Sequence, residues 1–157
     1  MSVVARYNFG LLTTETLESG IVGASNPKVV FDAYEESGTL NASSTVPATK
    51  CCYMLGTLSS GALTINLAAL TGANGTVDFT GLRVQLLRIK NLGANPMTFS
   101  EGASNGIALL CFPLIVPAGA IAQFYLADLA PDVASGDRTI DVAGTLAQTF
   151  ELSIVAG

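Results

Sequence analysis

The sequence contains no histidine and no tryptophan, and charged residues are scarce. Without histidine, every Ser-His-Asp or Cys-His arrangement and every His-ligated metal site is excluded at once. Charged residues make up 12% of the 157 positions, about half the ~25% of an average soluble domain. So thin a coat implies that other subunits cover much of the surface. Seven basic and twelve acidic residues give a net charge of −5. An acidic chain lacks the clustered cations that displace counterions from nucleic acid. Arg6 is the one basic residue among the first 27, so a basic genome-packaging arm is absent. Aromatic residues are 7%, a poor stock for stacking sugars. These absences argue against most enzymes and leave no cofactor implied.

Cys51, Cys52 and Cys111 are an odd set with no C-x-x-C spacing. Neighbouring strand residues point to opposite faces, so Cys51 and Cys52 cannot both face one partner. The expectation is three reduced thiols in a cytosolic product, two of them buried; a bridge from Cys111 to Cys51 or Cys52, or between subunits, is the alternative. The N-terminus shows no charged region followed by an apolar run, so no secretory signal is read there. The sequons Asn41-Ala42-Ser43 and Asn74-Gly75-Thr76 are then incidental.

What is present points to strands. Thr, Val and Ile total 35 residues against 12 for Glu, Lys and Gln, and β-branched enrichment favours extended chain. Sixteen glycines and six prolines punctuate short apolar runs. Period-2 alternation marks Val3, Ala5, Tyr7 and Phe9; Val29, Phe31 and Ala33; Leu63, Ile65 and Leu67; Ile140 and Val142; and Phe150, Leu152 and Ile154. The run Leu82–Asn91 slips phase, and a β-bulge near Leu86-Leu87 would restore one apolar face. Met97 and Phe99 open a further strand. The uncharged window Ile107–Ala127 is bilayer-length, but Pro113, Pro117 and Gly119 interrupt it. It reads as a hairpin of Phe112–Val116 and Ala120–Leu126 around a Pro117-Ala118-Gly119 turn, so no membrane is implied. Leu11–Ser19 reads as a helical turn, and Ser37–Lys50 and Ala127–Arg138 as long loops. The sum is an all-β chain: a single sandwich or jelly-roll-like domain of about eight to ten strands spanning residues 1–157.

Few constellations carry chemistry. Asp128, Asp132, Asp137 and Asp141 bracket one loop, and oxygen-rich loops can hold Ca²⁺. The spacing fits no EF-hand and lacks its bidentate Glu, so turn capping and solvation compete with that reading. Glu35-Glu36 is too local for a general acid/base pair, which must flank a bond at a defined separation. Arg83, Arg88 and Lys90 gather three of the seven cations on one predicted strand. They form either a partner-facing strip or the solvated, ion-paired face of that strand. Gly72-Ala73-Asn74-Gly75 lacks the Lys-Ser/Thr of a phosphate loop and is a turn.

One ordered series of segments is familiar. Leu63–Leu70 is followed by Thr76-Val77-Asp78-Phe79-Thr80-Gly81-Leu82, then by Val84–Asn91 leading into Gly93-Ala94-Asn95-Pro96-Met97-Thr98. Pro113-Leu114-Ile115-Val116-Pro117-Ala118-Gly119 comes next, before the closing Ile140 and Phe150–Val155 strands. In this order the chain resembles small β-rich virion proteins of tailed bacteriophages. The resemblance covers about the last 60% of the chain and contains no catalytic signature. Residues 1–62 lie outside it and read as an adapting portion of the same domain.

The resemblance implies a non-enzymatic capsid decoration (cement) protein on the capsid exterior, in contact with a major capsid protein lattice. A major capsid, tail or fibre subunit is the runner-up. A glycan- or receptor-binding sandwich module is the alternative of another class. Uncharged strands need burial by neighbours, so a homo-oligomer is expected, and the preference for a trimer comes from the resemblance. Leu110, Phe112, Ile115 and Tyr125 are the interface candidates, with Arg83, Arg88 and Lys90 beside them; a place in the monomer core is the competing reading for the four apolar residues.

Overall fold

The computed structural model describes residues 3–16, 28–109 and 111–157. It is all-β, with twelve strands among the described residues. They are β1 (Val4–Thr16), β2 (Lys28–Asn41), β3 (Lys50–Thr57), β4 (Ala62–Asn66), β5 (Leu70–Gly72), β6 (Gly75–Val77), β7 (Val84–Asn91), β8 (Met97–Glu101), β9 (Leu114–Val116), β10 (Ile121–Tyr125), β11 (Thr139–Ala143) and β12 (Thr149–Ala156). The chain divides into two compact units, Ala5–Thr39 and a larger one of Met1–Val4 with Leu40–Gly157.

In the smaller unit β1 and β2 form a two-stranded sheet. Tyr7 and Phe9 stack with ring centroids 5.8 Å apart, and Asn8 Nδ2 donates to Glu35 Oε1 at 2.5 Å. Gly38 lies beneath the Tyr7 ring, where a Cβ would come within 2.5 Å of it. The expected alternation holds: Ala5, Tyr7 and Phe9 are half-buried, while Val4, Arg6 and Asn8 are exposed. The helical turn expected from Leu11 does not form, because β1 runs on through Thr16. The Thr-rich run Leu11-Leu12-Thr13-Thr14-Glu15-Thr16 favours extended chain over helix; Leu17, Glu18 and Ser19, the rest of that expectation, lie outside the described residues. The long loop expected at Ser37–Lys50 shrinks to residues 42–49, since β2 continues to Asn41.

In the larger unit eight strands form two four-stranded antiparallel sheets, in the orders β10-β7-β12-β3 and β4-β11-β8-β9. The pairs β3·β12, β4·β11, β7·β10 and β8·β9 are those of one long hairpin folded back on itself. The pairs β7·β12 and β8·β11 then close it into two sheets. That wrapping is a jelly roll. The sheets face each other over a core in which Phe99 and Phe150 meet edge to face at 5.3 Å. Leu87, Ile89, Leu152 and Ile154 line it from one sheet and Ile65, Met97, Ile140 and Val142 from the other. Gly56 of β3 lies close against that core: a Cβ there would sit 2.3 Å from Phe150 Cζ.

Two expectations are corrected by this topology. Phe112–Val116 and Ala120–Leu126 are not a hairpin, because β9 pairs with β8 in one sheet and β10 with β7 in the other. The Pro117–Gly119 turn does form, with Gly119 at φ +69 and Ala120 N–H donating to Pro117 C=O at 3.1 Å. It carries the chain across the sandwich. The bulge in β7 falls at Gln85, one residue before the expected place: Leu86 pairs with Val155 but Val84 with Ala156. The extra residue re-phases Val84 so that it is buried with Leu87 and Ile89.

Candidate functional site

The four aspartates of the candidate Ca²⁺ loop go to different tasks. Arg83 Nε donates to Asp132 Oδ1 and its Nη1 to Asp128 Oδ1, both at 2.7 Å. Those bonds raise the Arg83 pKa further and clasp the 126–138 loop to the start of β7. Asp141, on β11, accepts from Thr64 Oγ1 at 2.6 Å and from Ala103 N–H at 2.7 Å. Asp137 closes a tight turn with Ala134 by paired backbone bonds. Among the described residues no group of three or more His, Cys, Asp or Glu is placed to hold a metal ion.

The cation strip is divided likewise. Arg83 lies just before β7, while Arg88 and Lys90 share the outer face of β7. Arg88 Nη1 reaches Glu151 Oε2 at 3.3 Å across β12, and Lys90 lies directly opposite Glu151. On that face Lys90 stands between Ile121 and Glu151, Arg88 between Gln123 and Ser153, and Leu86 between Tyr125 and Val155. Of the apolar interface candidates, Ile115 is exposed on β9, Tyr125 is half-buried on β10, and Phe112 packs half-buried against the core. Leu110 lies outside the described residues.

All three cysteines are free thiols. Cys51 is exposed and Cys52 buried, as alternation on one strand requires. Cys111 is only half-buried, so one thiol rather than two is fully enclosed. Burial, then the neighbouring Cys51, raises the Cys52 pKa; burial raises that of Cys111. Beside Cys51 a cleft of about 230 Å³ opens between β3, β12 and the β5–β6 hairpin, walled by Tyr53, Ser153, Val155, Ala73 and Val77. Ala73 N–H donates to Tyr53 C=O at 2.9 Å and holds the hairpin on the edge of β3.

The two ends of the sandwich differ chemically. One gathers Asp78, Arg83, Asp128, Asp132, Asp137 and Arg138 on its loops. Asp78 accepts from Thr80 Oγ1 at 2.6 Å and from Thr80 N–H at 2.8 Å, which lowers its pKa. The other end is built from residues 58–61, 92–96, 117–120 and 144–148, none of them charged. No match is found among protein-family models, curated proteins or solved structures. Any functional reading therefore rests on the chain itself.

The uncharged end is held together by two buried amides. Asn91 Nδ2 donates to Asn95 C=O at 2.8 Å and to Val116 C=O at 3.0 Å, while its Oδ1 accepts from Gly93 N–H at 2.8 Å. Gln148 Nε2 donates to Asn95 C=O, and its Oε1 accepts from Thr145 N–H, both at 2.6 Å. Leu92 and Leu146 are exposed on these loops, with Leu55, Ile115 and Ile121 exposed on the strands that lead to them. Sequence reasoning singled out only Ile115 of these five. The available signal was the run of turns without a charge.

Proposed function

We propose that this chain is a non-enzymatic structural protein of a virion, a capsid decoration protein that binds a major capsid protein lattice as a homo-oligomer. The observation that carries the reading is the jelly-roll strand order, an architecture that builds capsid as well as lectin domains. Fold alone does not assign function, so composition has to choose among jelly-roll roles. Sparse charge and exposed leucines and isoleucines favour a chain made to contact other proteins over one that works alone in water. The sequence resemblance to phage virion proteins selects the decoration role and the trimer.

The test is reconstitution. Purified chain is added to shells lacking it, and electron microscopy looks for new density at repeated lattice positions. Saturable binding with that density supports the reading, and shells left bare at high micromolar protein oppose it. A second reading, a glycan- or receptor-binding module, draws on the outer face of β4-β11-β8-β9. There Thr64, Asp141, Ser100 and Thr98 present hydroxyl and carboxylate groups side by side. Specific signals on a glycan array, with no shell binding, would favour it.

A further inference from the structure

We propose that copies of this chain meet one another through the uncharged end of the sandwich, with Leu92 and Leu146 at the centre of the contact. The choice of a second copy as occupant rests on the homo-oligomer reading above; the location rests on the geometry. Four loops from different parts of the chain converge there, tied by Leu58 N–H to Gln148 C=O at 2.8 Å, Gly61 N–H to Leu146 C=O at 2.9 Å, Leu92 N–H to Thr149 C=O at 3.0 Å and Asn91 N–H to Ala120 C=O at 3.0 Å. The platform is ordered before any partner arrives, which keeps the entropic cost of association low.

Leu146 is the most telling residue on it. Its backbone is left-handed, φ +48, and the residue is 74% exposed. A bulky residue seldom adopts that conformation, which Gly or Asn takes at lower cost. Here a strained backbone aims a large apolar side chain into solvent. Strain of that kind gathers at binding sites.

Charge narrows the choice of occupant. Nucleic acid or an anionic membrane surface would want lysine and arginine on these loops, and a bilayer interface would want Trp or Tyr. The four loops carry none of these. Two copies of a chain with net charge −5 repel. They approach at least cost through ends where neither carries charge, with the acidic loops of each sandwich turned away. Four strands about 4.8 Å apart and two layers about 10 Å apart give an end roughly 20 Å on a side. Two such ends bury on the order of 800–1,000 Å², at the low end of specific interfaces. Micromolar, concentration-dependent association follows.

Sedimentation velocity of the full chain across roughly 1–200 µM reads this directly. The wild type should move from monomer toward a small multiple of 16.1 kDa. Leu92→Glu with Leu146→Glu should weaken association at least tenfold. Leu129→Glu, at a site 72% exposed in the charged loop 126–138, should leave it unchanged. Leu146→Gly separates contact from folding: it relieves the left-handed strain, so Tm should hold or rise while association weakens. A wild type that stays monomeric throughout overturns the inference, even if it binds shells and so leaves the virion reading standing. A double Glu variant that associates like wild type overturns the location while self-association stands.

Discussion

Asn91 is fully buried, and all three of its side-chain hydrogen bonds go to backbone groups of the loops at the uncharged end. Replacing it with leucine keeps the branched shape, adds some volume and removes those bonds. Asn95 C=O retains Gln148 Nε2, so the loss falls on two groups, Gly93 N–H and Val116 C=O. Each unsatisfied buried group costs about 1–3 kcal/mol. Gly93 is only half-buried and recovers part of its loss to water, and the added apolar burial returns part of the rest. The expected net loss for Asn91→Leu is about 2–4 kcal/mol. At about 3–5 °C per kcal/mol for a unit of this size, Tm falls by roughly 6–20 °C. Asn91→Asp should be worse, because a buried carboxylate then faces the carbonyl oxygens of Asn95 and Val116. Asn66→Ala provides the scale: exposed Asn66 caps a short 3-10 turn through Ala68 N–H at 3.0 Å, and its loss should cost at most ~1 kcal/mol. Urea unfolding followed by circular dichroism measures all three. If Asn91→Leu lies within about 0.5 kcal/mol of wild type at unchanged m-value, the orphaned groups found other partners and the reasoning fails.

Three further outcomes are expected. Gly56→Ala drives a methyl into the Phe150 ring at 2.3 Å and should destabilise by about 1–3 kcal/mol; a calorimetric Tm equal to wild type would show that Phe150 can move aside. Thiol labelling should modify exposed Cys51 first, half-buried Cys111 more slowly, and buried Cys52 only on unfolding, while reductant leaves the unfolding midpoint unchanged because all three thiols are free. Hydrogen bonds from Thr80 depress the Asp78 pKa in the folded state. They therefore contribute stability above the unfolded carboxylate pKa that is lost as pH falls through the lower folded one. Thr80→Val should raise the Asp78 pKa toward its ordinary value in an NMR titration; an unmoved resonance would leave the backbone bond as the whole cause.

The strands with one buried face could be read from the sequence because period 2 is a local property. Phe150, Leu152 and Ile154 alternate with half-buried Thr149, Glu151 and Ser153 in the structure as in the sequence. Pairing is not local. Pro117-Ala118-Gly119 reverses the chain, but a turn inside a hairpin and a corner between two sheets need the same residues. Only the partners of β9 and β10, on β8 and β7, distinguish them. The bulge shows the same limit at finer grain. The phase slip in Leu82–Asn91 announced an extra residue, and the register against Val155 and Ala156 put it at Gln85. As far as Thr16, the strand β1 persists where a helical turn was expected because the threonines weigh against helix more than Glu15 weighs for it.

The candidate site divides along the same line. Asp128 and Asp132 look like ligands while read beside Asp137 and Asp141. Arg83, 45 and 49 positions away, becomes their partner once the chain folds. The uncharged end is hard to see in the sequence, since each of its loops alone is an ordinary turn and only their shared lack of charge marks them. A jelly roll brings alternate connections of the folded hairpin to the same end, so 58–61, 92–96, 117–120 and 144–148 gather while the acidic loops collect opposite. Charge segregation along the sequence, loop by alternate loop, thereby becomes segregation in space. In the larger unit this wrapping leaves the four loops of one end without a charge, and there Leu92 and Leu146 stand exposed on a platform fixed by Asn91 and Gln148. The proposed contact couples stability to association at that end. Loosening the loops by Asn91→Leu should weaken self-association even though Asn91 itself is buried beneath the contact.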